Sequence, residues 1–245
     1  MANFVRVAHR GASGHFPEHT RLAFEKAIEA RADMIELDCQ LSGDGHVVVY
    51  HDERLRRTTG ARGAVKDKTL VQLKKLDAGK WRKKSFQGQQ ILTLEEVMAC
   101  VHGQVDLCLD IKQYPGSLQG IELKLLFILS HYDYLERTIF SSGEYHCLRR
   151  LRDLAPEIRL GVIYHSGIKE DPCAVAGQVQ AASIHVQKEL ASRDLLDKVW
   201  NFGMDVFVWT VNEVRDMERF ASLGVQGMIS DFPEKFWQLK AHNRS

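Results

Sequence analysis

Val5-Arg6-Val7-Ala8-His9-Arg10-Gly11 is too short and too β-branched for a helix, so it reads as a buried strand. The strand stops in an imidazole, a guanidinium and a glycine, polar groups with no apolar neighbour to pack on. A single histidine in that place would be structural. Two further runs stop in the same way, Glu36-Leu37-Asp38 and Val47-Val48-Val49-Tyr50-His51-Asp52. Polar residues gathered at strand ends mark the chemical face of α/β proteins.

Outward from that strand, short β-rich runs alternate with amphipathic segments along the whole chain. The strand candidates are Phe4–Ala8, Met34–Asp38, Val105–Ile111, Thr138–Ser141, Arg159–Tyr164, Ser183–Val186, Asp205–Thr210 and Gly227–Ser230. Thr20–Ala30, Leu94–Val101, Ile121–Ser130 and Tyr145–Leu154 carry helical patterns between them. Eight strands with intervening helices predict a TIM-type (β/α)8 barrel, with a doubly wound open sheet as the alternative. The 245 residues suit one such domain spanning 1–245.

One region breaks the alternation. Asp44-Gly45 is a strong two-residue hairpin signal after the second strand. A turn centred there pairs residues whose numbers sum to 89, setting Asp38 opposite His51 and Glu36 opposite Glu53. The hairpin then returns His51 to the carboxylates at the end of that strand. From about residue 53 to 92 the chain is polar, basic and glycine-rich, with one short helical pattern at Thr69–Leu76. It is too long for a plain connection and reads as an insertion over the C-terminal face. It is either one wall of a pocket or a solvated excursion, and Trp81 and Phe86 are either an apolar anchor beneath it or a wall for the substrate's alcohol.

Hydrophobic residues make up 44% and charged residues 27%, the composition of an ordinary soluble globular protein. A net charge of +1 gives no reason to expect a nucleic-acid partner. Five cysteines without C-x-x-C spacing argue against zinc or a disulfide framework and for a reducing compartment. No apolar run is long enough to span a bilayer, and Arg6 and His9 interrupt any signal-peptide pattern. The expected address is the cytoplasm, without membrane insertion; oligomeric state is open.

Three carboxylates end predicted strands: Glu36, Asp38 and Asp110, the last followed by Lys112. Glu36 and Asp38 lie two apart and so share one strand face. Buried side by side, they repel unless a cation compensates. A divalent cation, Mg²⁺ or Ca²⁺, meets that need with oxygen ligands; an ion-pair network with Arg10 and Lys112 is the alternative. His9 and His51 supply a proton acceptor and a proton donor. Arg10 and Lys112 add fixed positive charge, which suits a phosphate better than a sugar or a ketone. Together these groups point to phosphodiester cleavage.

The stretch His9-Arg10-Gly11 through Pro17-Glu18-His19-Thr20, then Glu36-Leu37-Asp38 and His51-Asp52, resembles the glycerophosphodiester phosphodiesterase family. Arg57-Thr58-Thr59-Gly60, Leu73–Gly79, Thr93-Leu94-Glu95-Glu96, Asp110-Ile111-Lys112 and Trp209-Thr210-Val211-Asn212 extend the match in order over nearly the whole chain. The resemblance implies a TIM-type barrel, a divalent cation and hydrolysis of a small-molecule glycerophosphodiester to an alcohol and sn-glycerol 3-phosphate. By position it gives Glu36, Asp38 and Asp110 to the metal, His9 and His51 to acid–base catalysis, and Arg10 and Lys112 to the phosphate. Trp209 would line the glycerol side. The chain departs from the family pattern at His19, where Asn is usual, at Asp110, where Glu is usual, and at Leu92, where Pro is frequent. Lysophospholipids cleaved in the manner of a phospholipase D, or non-catalytic binding of glycerol phosphates, are the rival functions. His185, Tyr164 and Gln187 end strands and are candidates for shaping the pocket. His15, His102, His131, His146 and His242 are expected at the surface.

Overall fold

The computed structural model describes residues 4–101, 103–117 and 119–239. The surface expectations for His102 and His242 lie outside those residues. In chain order the elements are β1 (Val5–His9), α1 (Arg21–Glu29), β2 (Met34–Leu41), β3 (Val47–Val49), α2 (Arg56–Thr59), α3 (Leu70–Leu73) and α4 (Leu94–Val101). There follow β4 (Asp106–Ile111), α5 (Ile121–His131), β5 (Thr138–Ser142), α6 (Tyr145–Leu154), β6 (Arg159–Tyr164), α7 (Pro172–Val179) and β7 (Ser183–Gln187). The chain continues through α8 (Arg193–Asn201), β8 (Asp205–Trp209), α9 (Val214–Leu223) and β9 (Gly227–Ser230).

Strand β1 pairs in parallel with both β2 and β9, and β4 to β9 follow one another in parallel from β2. The sheet is therefore a closed ring of eight parallel strands, which removes the open-sheet alternative. The main core lies between ring and helices, where Phe24, Phe140 and Phe220 are fully buried. Each such side chain contributes on the order of 1.5–3 kcal/mol. A smaller apolar set, Val7, Met34, Cys108, Ile139, Phe207 and Ile229, forms its own cluster. Side-chain caps start α1 and α8, with Thr20 accepting from the Ala23 N–H and Ser192 from the Leu195 N–H.

The ninth strand, β3, folds back antiparallel on the end of β2, pairing Cys39 with Val49, Gln40 with Val48 and Leu41 with Val47. Partner numbers therefore sum to 88, one less than the two-residue turn predicts. The loop holds three residues: the Gly45 N–H bonds the Ser42 carbonyl (3.0 Å), the Ser42 N–H bonds the His46 carbonyl (2.9 Å), and Gly45 sits at φ +83°. This is a turn followed by one left-handed residue, a standard three-residue hairpin loop. Tyr50, not His51, thus faces Asp38, its N–H donating to the Asp38 carbonyl (2.9 Å). The outer side of β3 is bridged at Val48 to Thr93.

The insertion has an apolar cluster of its own, in which Leu55, Val65, Leu73, Ala78 and Ile91 pack with Val48 and Tyr50 of the hairpin. The predicted helical pattern forms as α3, started by a capping box between Thr69 and Gln72. Phe86 meets Phe16 at 5.9 Å between ring centroids, the Arg82 guanidinium bonds the Gly14 carbonyl, and the Lys66 ammonium bonds the Pro115 carbonyl. These contacts seat the insertion on the loops that follow β1 and β4, at the C-terminal side of the ring.

Candidate active site

A cavity of about 550 Å³ opens at the C-terminal ends of the barrel strands. All eight site residues expected from the sequence line it: His9, Arg10, Glu36, Asp38, His51, Asp110, Lys112 and Trp209. Strand register accounts for the arrangement. His9 on β1 lies beside Glu36 on β2, and Asp38 on β2 lies beside Asp110 on β4. His51 arrives from the hairpin, one residue past the position that the two-residue turn predicts.

Glu36, Asp38 and Asp110 are all buried, and each offers an oxygen within 4.8 Å of the other two. Burial first, then the neighbouring Asp38, pushes Glu36 well above the usual carboxylate range. Asp38 goes the other way: burial works to raise it, but Lys112, a hydrogen bond from His19 and Arg10 outweigh burial and hold it low. Burial raises Asp110 against the pull of Lys112. Lys112 Nζ lies 2.5 Å from Asp110 Oδ2 and 3.2 Å from Asp38 Oδ1, and Arg10 Nε lies 3.4 Å from Asp38 Oδ2.

Those ion pairs account for part of the cluster only. Three carboxylates face two cations, and Asp110 Oδ1 is buried without a hydrogen-bond partner. An unsatisfied carboxylate oxygen, an excess of negative charge and an oxygen-only donor set fit a hard divalent cation. Asp110, one methylene shorter than Glu, still brings an oxygen within reach of the other two carboxylates.

Both histidines are oriented by carboxylates. His9 Nδ1 lies 2.6 Å from Asp231 Oδ1, and its Nε2 lies 3.9 Å from Glu36 Oε2. Asp231 also accepts from Ser13 Oγ (3.0 Å) and Asn212 Nδ2 (2.7 Å). Burial works to raise Asp231, but the His9 bond and these donors hold it down at about 2. His51 Nδ1 lies 2.6 Å from Asp52 Oδ1, and Arg57 Nε donates to Asp52 Oδ2 at 2.7 Å. The Tyr114 hydroxyl donates to the His51 carbonyl (2.5 Å). An Nδ1–H given to the carboxylate turns Nε2 of each ring toward proton transfer, as a base when neutral and as an acid when protonated.

Glu18 joins the two halves of the site. It accepts from Arg10 Nη1 (2.9 Å) and from Arg57 Nη1 and Nη2 (2.7 and 2.8 Å). Burial opposes its ionisation, yet the Arg57 bonds and the Arg10 charge bring it to about 2. Arg10 and His19 both adopt left-handed backbone, φ 57° and 59°. Such conformations persist where surrounding contacts over-determine them. His19 reaches the carboxylate cluster: its buried Nε2 lies 2.7 Å from Asp38 Oδ2.

Asp231 is the residue that reading of the sequence missed outright, although Ser230-Asp231 ends the last strand as His9 ends the first. Glu18, Asp52, Arg57 and Asn212 lie within recognised motifs, but their pairings depend on the fold. His185 and Gln187 line the cavity and Tyr164 does not. His185 is buried, bonded to Ser183 Oγ at 3.0 Å, and burial lowers it to about 4. Trp209 donates its indole N–H to the His185 carbonyl (2.9 Å). His15, His131 and His146 are exposed, as expected. No residue of 53–92 lines the cavity, so Trp81 and Phe86 form no wall of it.

Residues 9–235 match the model of the Glycerophosphoryl diester phosphodiesterase family. The chain is 41% identical, over 93% of its length, to a glycerophosphodiester phosphodiesterase of Caldanaerobacter subterraneus, 94% of which is covered. It is 32% identical to one from Bacillus subtilis, over 96% of this chain and 86% of that protein. Among solved structures, an Oleispira antarctica phosphodiesterase in complex with the product sn-glycerol-3-phosphate superposes with a TM-score of 0.86 at 28% identity, covering 95% of this chain and 94% of that one. A glycerophosphodiester phosphodiesterase from Thermotoga maritima gives a TM-score of 0.76 at 29% identity, over 96% and 98% of the two chains.

Proposed function

The chain belongs to the glycerophosphoryl diester phosphodiesterase family, and from that premise we propose that it hydrolyses glycerophosphodiesters to an alcohol and sn-glycerol 3-phosphate, with His9 and His51 as the acid–base pair. One observation supports this reading above others. Two imidazoles, each held through Nδ1 by a carboxylate, meet in one cavity with two fixed cations and a carboxylate cluster.

Arg10 and Lys112 hold the phosphate, and fixed charge there stabilises the extra negative charge that builds up at phosphorus. Glu36, Asp38 and Asp110 would bind a divalent cation, Mg²⁺ or Ca²⁺, which when bound polarises a phosphate oxygen. One histidine, neutral at Nε2, takes the proton of the attacking oxygen, either water or the substrate's own glycerol hydroxyl, as the other, protonated at Nε2, gives its proton to the leaving alcohol oxygen. Attack by the glycerol hydroxyl passes through a cyclic phosphate, which water then opens to glycerol 3-phosphate. Asp231 and Asp52 fix the tautomers that these transfers need. Trp209 closes the pocket on the glycerol side. Five unpaired cysteines suit a cytoplasmic address, and no described helix is long and apolar enough to cross a membrane.

Release of glycerol 3-phosphate from glycerophosphocholine, with Mg²⁺ or Ca²⁺ and with chelator, tests the activity. Folded, metal-supplied protein that turns over no glycerophosphodiester ends the proposal. His9→Ala and His51→Ala are each expected to lower kcat by roughly 10²–10⁴-fold, measured beside circular dichroism to establish folding. Comparing rates on a lysophospholipid and its deacylated counterpart decides against or for the lipid-cleaving rival.

A further inference from the structure

The insertion concentrates charge. Residues 53–92 carry twelve Lys and Arg against three Asp and Glu, in a chain whose net charge is only +1, so the remainder is net negative. Among the described residues Arg57, Lys66 and Lys74 form ion pairs, and the other nine cations form none. None of the twelve lines the catalytic cavity. Unspent positive charge outside the pocket has no use in holding the substrate there, and it suits a larger polyanion.

Its densest run is Lys80-Trp81-Arg82-Lys83-Lys84, exposed at every position. The run is held in shape and is no loose excursion. Asp77 accepts from the Gly79, Lys80 and Gly88 N–H groups at 2.8 Å each, and Phe86 anchors on Phe16. A Cβ at Gly79 would sit 1.9 Å from the Phe86 carbonyl oxygen, so the turn is tightly closed. Trp81 is tied by its indole N–H to the Ala78 carbonyl (2.9 Å), yet is 37% exposed. Arg82 reaches the Gly14 carbonyl, in the loop that carries on from His9 and Arg10.

We propose that the Lys80–Lys84 loop docks this protein on the surface of an anionic lipid bilayer, with the mouth of the active site beside it. An amphipathic indole flanked by lysines is the combination that seats a protein at a lipid headgroup layer. Lipid rather than nucleic acid rests on the hydrolase reading above, since a glycerophosphodiester is a phospholipid stripped of its acyl chains. Contact is electrostatic and shallow, without insertion of a helix.

Co-sedimentation of the full chain with extruded vesicles tests it. Phosphatidylglycerol–phosphatidylcholine vesicles should pellet the protein at low ionic strength and release it at about 0.5 M salt, where the Debye length falls to a few ångströms. Lys80→Gln/Lys83→Gln/Lys84→Gln should weaken binding about fivefold per lysine, roughly a hundredfold in all. Trp81→Ala should weaken it further, and neither variant should alter turnover of a soluble diester. No pelleting at low salt, equal pelleting on pure phosphatidylcholine, or triple-variant binding equal to wild type overturns the proposal. So does tighter binding of duplex DNA than of vesicles. Vesicle binding by protein that turns over no diester still supports docking and counts against the hydrolase reading alone.

Discussion

Glu18 carries the sharpest pH signature at the level of single residues. Its carboxyl drops from an ordinary value of 4.5 to about 2 because Arg57 and Arg10 outweigh its burial. A lowered folded-state value means stability that is complete above about pH 4.5 and is lost as pH falls toward 2. The linked contribution is about 3 kcal/mol. Urea denaturation at pH 5 and pH 3 should therefore show a steep loss in the wild type and a shallower one in Glu18→Gln; equal slopes would contradict the assignment. His9, Arg10, Glu36, Asp38, His51, Asp110 and Lys112 were legible in the sequence because each polar residue follows or interrupts a buried run. Their partners were not. His9 and Asp231 stand 222 residues apart, and only closure of the ring brings them together.

Among the elements, the hairpin shows where pattern reading stops. Asp44-Gly45 announced the turn, but its length was set by Gly45, whose φ of +83° adds a third loop residue and shifts the register by one. The alternation of strand and helix was legible because every buried strand needs an apolar run of its own. The seat of the insertion was not, since it depends on contacts such as Phe86 with Phe16 that no local period encodes. Gly43 is a point of close approach between hairpin and insertion: a Cβ there would lie 2.7 Å from the Lys66 carbonyl oxygen. Gly43→Ala should cost about 1–3 kcal/mol by overpacking. Limited proteolysis should then cut within residues 53–92 before the barrel; unchanged stability and cleavage would refute the close approach.

For the whole molecule, a cation bound by the carboxylate cluster would add to the stability of the ring. Glu36, Asp38 and Asp110 come from two adjacent strands, β2 and β4, so a cation shared among them braces that side of the barrel. Binding at a hundred times Kd adds about 2.7 kcal/mol, which for a domain of this size raises Tm by roughly 5–10 °C. Thermal melts with Mg²⁺ or Ca²⁺, against chelated protein, should show that rise in the wild type and little of it in Glu36→Gln. Equal melting with and without cation would remove the metal from the reading.

A ring has a property that an open sheet lacks. Each barrel strand is hydrogen-bonded on both sides, and the one strand outside the ring, β3, is only three residues long and is bridged at Val48 to Thr93. Edge strands are the usual templates on which folded proteins recruit one another into aggregates. Among the described residues this chain presents no long unpaired strand for such recruitment. Self-association through the barrel strands therefore requires the ring to open first.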